Sequence, residues 1–100
     1  MAWMIVSEDG PKDAAIRANK EIMDAHWAYE LSNRDKILCA GSLRTDDGLT
    51  AIGSLLILNV ETRQEALDII DADPATRAGL RRDIVVKRWN VAIFGTVVVA

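Results

Sequence analysis

The chain has a single histidine, His26, in the run Ile22-Met23-Asp24-Ala25-His26-Trp27-Ala28-Tyr29. Imidazole is the side chain whose ordinary pKa lies closest to neutrality, so it can take up and return a proton under mild conditions. A carboxylate that could orient it comes much later, Asp73 in Asp71-Ala72-Asp73-Pro74, beside a turn signal. An acid that accepts from one ring nitrogen fixes the tautomer and leaves the other nitrogen free as a base. General acid–base help of this kind amounts to roughly 10²–10⁴-fold, enough for proton abstraction beside a carbonyl or loss of a good leaving group. Each residue also has an ordinary structural reading. A lone histidine on an apolar helix face is commonly a satisfied core residue, and an aspartate before proline commonly caps the next turn. Both readings stand at this point. Ser54, next to Gly53 on a strand, either faces the same cleft or is a packing choice.

Other chemistries lack their residues. One Cys and one His give neither an intramolecular disulfide nor zinc-ligand spacing, so no metal site is expected. Cys39 lies between Leu38 and Ala40 and reads as a buried small hydrophobe. Thr45-Asp46-Asp47-Gly48 reads as a turn; a calcium loop would need many more oxygen ligands in register. No GxGxxG or P-loop spacing occurs, so no nucleotide cofactor is expected. Twelve Lys and Arg against fifteen Asp and Glu give a net charge of -3, against a nucleic-acid partner. Arg77, Arg81, Arg82, Lys87 and Arg88 form a local basic stretch, but at strand spacing they divide between two faces and read as a solvated edge. The amino-terminal run lacks the basic region and cleavage site of a signal peptide, and the apolar run 91–100 is too short for a membrane helix. A cytoplasmic, reducing setting is the expectation.

The elements that must position these residues follow from periodicity. Trp3 to Ser7 is a short strand closed by Glu8-Asp9-Gly10-Pro11. A helix then runs from Asp13 and Ala14 to about Asn33, with Ile16, Met23, Trp27 and Leu31 in one apolar stripe and His26 near its edge. Ile37 to Leu43 and Ala51 to Val60 are strands, the second apolar on both faces. Thr62 with Glu65 forms a capping box for a helix over Arg63–Ala72, which stops before Pro74. A short turn over Ala75–Ala78 follows, closed by Gly79, and the last main strand runs from Ile84 to Ile93.

The order β-α-β-β-α-β predicts an α+β, ferredoxin-like fold: one domain over residues 1–100, with an antiparallel sheet and both helices on one face. The uncovered face would carry Leu56, Leu58, Val86 or their neighbours, and such a patch calls for a partner. A second copy is the simplest one, giving a homodimer or a higher oligomer. The apolar segment 91–100, with Val97-Val98-Val99, would add an edge strand or reach across the dimer. A core this small leaves little room for a deep cavity, so a small-molecule site belongs at the sheet mouth or between subunits.

Taken in order, Ala25-His26-Trp27-Ala28-Tyr29, Leu38-Cys39-Ala40-Gly41-Ser42-Leu43, Asp46-Asp47-Gly48, Gly53-Ser54-Leu55-Leu56-Ile57, Asp71-Ala72-Asp73-Pro74, Ala78-Gly79-Leu80 and Val85-Val86-Lys87-Arg88-Trp89 resemble the YCII-related proteins of the dimeric α/β-barrel superfamily. The resemblance covers residues 2 to about 90. It implies a dimerising ferredoxin-like protomer with a cleft built around a His–Asp pair. The family histidine falls on His26, its aspartate on Asp73 and its serine on Ser54. It also implies a cofactor-independent lyase or isomerase, dehydrochlorinase-like, acting on a small oxygenated ring or carbonyl compound. A non-catalytic ligand-binding or regulatory module is the alternative. Trp27, Tyr29 and Trp89 are expected as apolar walls for the ligand. The chain departs from the family where arginines often precede the histidine, having Asn19 and Met23 there and only the more distant Arg17. It has Ser42 and Arg88 in place of prolines, and Ala75 where a large residue is usual. Lost arginines imply a weakly charged substrate, and Ala75 a wider site that takes a ring.

Overall fold

The computed structural model describes residues 1–99. Its main sheet has four antiparallel strands in the order β2-β3-β1-β4: β1 Ala2–Asp9, β2 Ile37–Arg44, β3 Ala51–Leu58 and β4 Arg81–Trp89. Between them lie α1 Asp13–Ala18, α2 Lys20–Ser32, α3 Arg63–Ala72 and α4 Pro74–Arg77. This is the ferredoxin-like α+β arrangement. Side chains alternate across the strands, so Trp3, Ile5, Leu56, Leu58 and Val86 share one face, where Ala66 and Ile70 of α3 pack on them. A smaller cluster of Ile16, Ala75 and Leu80 joins α1 and α4 to the end of the sheet. The opposite face carries Met4, Val6, Leu55, Ile57 and Val85. Of these, Met4, Val6, Leu55 and Val85 are at least partly open to solvent while Ile57 is buried; Leu56, Leu58 and Val86 point into the core.

Backbones come unusually close where β1 meets β3. A Cβ on Gly53 would lie 2.5 Å from the Ser7 carbonyl oxygen, a backbone atom with little freedom to give way. Gly53→Ala is expected to lower stability by about 1–3 kcal/mol, as overpacking does. A urea midpoint unchanged from wild type would contradict that.

Several elements differ from the periodic reading. The long helix is two helices, because Asn19 adopts an extended ψ of 105° and its side chain accepts a hydrogen bond from the Ile22 amide at 3.1 Å, capping α2. Helix α2 buries none of its residues fully, and Trp27 and Leu31 of the apolar stripe remain exposed. Cys39 is exposed rather than buried, since it faces the side of the sheet that no helix covers. Strand β4 ends at Trp89. Beyond it the tail forms a separate two-stranded sheet, β5 Ile93–Phe94 with β6 Val97–Val98, not a single strand or an added edge of the main sheet. Gly95 and Thr96 at φ +56° and +70° make the tight turn between them. Ala100, the last residue of the segment 91–100, lies outside the described residues.

Strand β4 also carries a bulge. Val85 pairs with Val6, yet Arg82 pairs with Glu8, so β4 has one residue more than β1 across that interval. Asp83 sits there at φ +50°. The extra residue reverses the alternation: Arg82 turns outward beside Glu8, and Arg81 turns inward opposite Asp9.

Candidate functional site

Four elements meet at one end of the sheet. Helix α2 supplies His26, Trp27 and Glu30; the start of α4 supplies Asp73; β3 supplies Ser54; and the bulged end of β4 supplies Arg81. All but Asp73 line a cleft of about 290 Å³, together with Arg17, Met23, Leu80 and the β2 residues Ala40, Gly41 and Ser42.

Asp73 ends α3 and caps α4. One of its oxygens accepts from the Ala75 amide at 2.9 Å, while Pro74 fills the first helical position. The same carboxylate faces His26, with Nδ1 at 2.8 Å from Oδ1 and 2.9 Å from Oδ2. Capping and imidazole orientation are thus compatible uses of one side chain. An ionised carboxylate only accepts hydrogen bonds, so Nδ1 carries a hydrogen, and in the neutral ring the lone pair is on Nε2.

Arg81 is the residue that alternation misplaced. It lies in the protein interior instead of on a solvated edge: its side chain and that of Asp73 are 2% and 3% exposed. Arg81 Nη2 donates to Asp73 Oδ2 at 2.9 Å, and Nη1 lies 3.4 Å from Ser54 Oγ. Asp73 is therefore held by an amide, an imidazole and a guanidinium at once. A second arginine, Arg17, lines the cleft but is committed elsewhere, donating from Nε and Nη2 to Asp9 at 2.8 and 2.9 Å. Those bonds hold the guanidinium more firmly protonated, outweighing burial, which acts the other way. Strand spacing reads Arg81 as part of a solvated edge, because the bulge that buries it has no signature in strand periodicity, and the family pattern leaves Arg17 only as a distant arginine.

The remaining expected residues divide. Ser54 and Trp27 line the cleft with His26; Tyr29 and Trp89 do not. Tyr29 points the other way, its hydroxyl donating to the Ile69 carbonyl at 2.7 Å and tying α2 to α3. Burial, helped by the nearby Asp73 charge, pushes the Tyr29 phenol above its ordinary value against a smaller opposing effect of Arg77. The fold thus favours the neutral phenol, so its contribution to stability is complete below the ordinary tyrosine range and declines as pH rises through the raised value. Denaturation midpoints are expected to fall across this alkaline interval for the wild type and to lose that component in Tyr29→Phe. Equal alkaline slopes for both proteins would contradict it. Trp89 sits at the far end of β4, paired with Ala2. Ala75 packs with Ile16 and Leu80 and does not open the cleft, so the inference of a wider site from its size falls.

The potential ligand atoms of His26, Glu30 and Asp73 lie within 4.8 Å of one another. Their chemistry does not suit a cation, because both Asp73 oxygens already accept strong donors and a guanidinium lies beside them. Only Nε2 and Glu30 would be left to bind it.

Residues 1–90 match the YCII-related domain. The chain belongs to the YCII-related family. A solved relative has the same fold, a 5-chloro-2-hydroxyhydroquinone dehydrochlorinase from Burkholderia phenoliruptrix in complex with 2,5-dihydroxybenzoquinone. It is 30% identical, with a TM-score of 0.77, over 90% of this chain and 94% of the other. No curated protein matches the sequence. The terminal sheet β5–β6 lies beyond the residues that the YCII-related domain matches. Among the described residues, no helix of this YCII-related chain is long and apolar enough to cross a membrane.

Proposed function

We propose that this YCII-related protein is a cofactor-independent lyase or isomerase acting on a small oxygenated ring or carbonyl compound. His26 is the general base and Asp73 its orienting partner. The observation that supports this is the grip of both Asp73 oxygens on Nδ1, which leaves Nε2 as the nitrogen able to accept a proton in the cleft. A hydrogen on the carbon beside a ring carbonyl passes to Nε2 as a proton. The electron pair left behind forms the enolate, or forms a new double bond as a leaving group such as chloride departs. Ser54 and Trp27 contact the ligand, Ser54 by its hydroxyl and Trp27 by its ring face. The related dehydrochlorinase acts on a chlorinated hydroxyhydroquinone, which is why an oxygenated ring heads the list of substrates.

The test is a panel of chlorinated and unchlorinated hydroquinones, lactones and β-dicarbonyl compounds, followed by absorbance and chloride release. Turnover of a ring compound without added cofactor is the expected result. Binding without turnover would move the reading to a ligand-binding module, and neither binding nor turnover would refute both.

The working unit is proposed to be a homodimer joined through the uncovered sheet face, where Val85 is 44% and Leu43 37% exposed beside Val6 and Leu55. Light scattering at micromolar concentration is expected to give twice the chain mass. A monomer would exclude that assembly.

A further inference from the structure

Glu30 lies one helical turn beyond His26, and its Oε1 is 3.5 Å from Nε2, the ring nitrogen that Asp73 leaves free. The two side chains are 19% and 15% exposed, and both line the cleft. Among the described residues no other cation pairs with it. Arg17 is taken by Asp9 and Arg81 by Asp73, and Arg34, which borders the adjoining hollow with Glu30, forms no ion pair with it. Once Nε2 has taken up a proton, Oε1 is placed to accept from it in a charge-assisted hydrogen bond.

We infer that Glu30 sets the charge of the substrate: it makes the cleft take an uncharged, hydroxyl-bearing ring and hold the imidazolium once His26 has accepted the proton. This rests on the proposed role of His26. The charges that face the site give the same result. Arg17 with Asp9 and Arg81 with Asp73 cancel in pairs, which leaves Glu30 as one uncompensated negative charge. An anionic ring would be repelled by it, whereas a neutral ring that gives up its proton converts the site into an ion pair.

The test uses calorimetric binding of two probes to the full chain at neutral pH. Hydroquinone is uncharged there, and 2,5-dihydroxybenzoquinone, a vinylogous acid, is an anion. Wild type is expected to prefer hydroquinone. Glu30→Gln is expected to gain about tenfold in affinity for the anion, from the removal of one nearby charge, with no gain for hydroquinone. Glu30→Asp, which keeps the charge, is expected to preserve the wild-type order should the Gln variant fold poorly. Equal shifts for both probes in Glu30→Gln would overturn the assignment of Glu30 and leave His26 as the base. No binding of either probe by the wild type would overturn both.

Discussion

Arg81→Leu is expected to cost about 3–5 kcal/mol of folding stability, the usual penalty for removing one partner of a buried ion pair. The cost arises from what is left behind. Asp73 is almost fully enclosed, and without the guanidinium its charge would rest on the Ala75 amide and the His26 imidazole alone. Arg81→Lys is expected to recover only part of the loss, since a single ammonium cannot span Asp73 and Ser54 as the planar fork does. Urea denaturation measures both. A loss below about 1 kcal/mol, the range of exposed pairs, would show that the pair is not buried in solution.

On whichever ring compound the wild type turns over, His26→Ala is expected to reduce kcat by about 10²–10⁴-fold, the contribution of a positioned general base. Stability is expected to change far less than in Arg81→Leu, because Asp73 keeps its guanidinium and its helix amide. Rates with melting curves for the same preparations separate the two effects. Undiminished turnover in a folded His26→Ala protein would exclude the imidazole as the base.

The sequence was most informative where local chemistry decides the structure. The capping box is an example: Thr62 accepts from the Glu65 amide at 3.1 Å and starts α3 where the spacing predicts. Gly48 at φ +76° likewise closes the turn that Asp46-Asp47-Gly48 marks, and Asp47 accepts from the Thr45 hydroxyl and the Leu49 amide. Those bonds, the hydroxyl foremost, hold the exposed Asp47 carboxyl below its usual range. The element order also gives the ferredoxin-like fold, because each crossover has to return its helix to one face of the sheet.

What the sequence hid depends on contacts between distant segments. Arg81 enters the site only because one extra residue near Asp83 reverses the alternation of β4 against β1, and period-two patterning carries no trace of a bulge. Asn19 ends one helix and caps the next, although a polar residue inside a periodic stretch can equally face solvent. Aromatic character alone groups Tyr29 and Trp89 with Trp27, but the helix and the sheet direct them elsewhere. Glu30 could have been noticed, since a spacing of four residues puts it above His26 on the same helical face. Its meaning appears only when Asp73 is seen to occupy the other nitrogen.

The most direct measurement of the central claim is a crystal structure of the protein with hydroquinone bound. The ring is expected in the cleft against Trp27, with an oxygen within hydrogen-bond distance of His26 Nε2 and with Nδ1 still held by Asp73. A ring bound elsewhere, or an imidazole turned so that Nδ1 leaves Asp73, would contradict the assignment of His26 as the base.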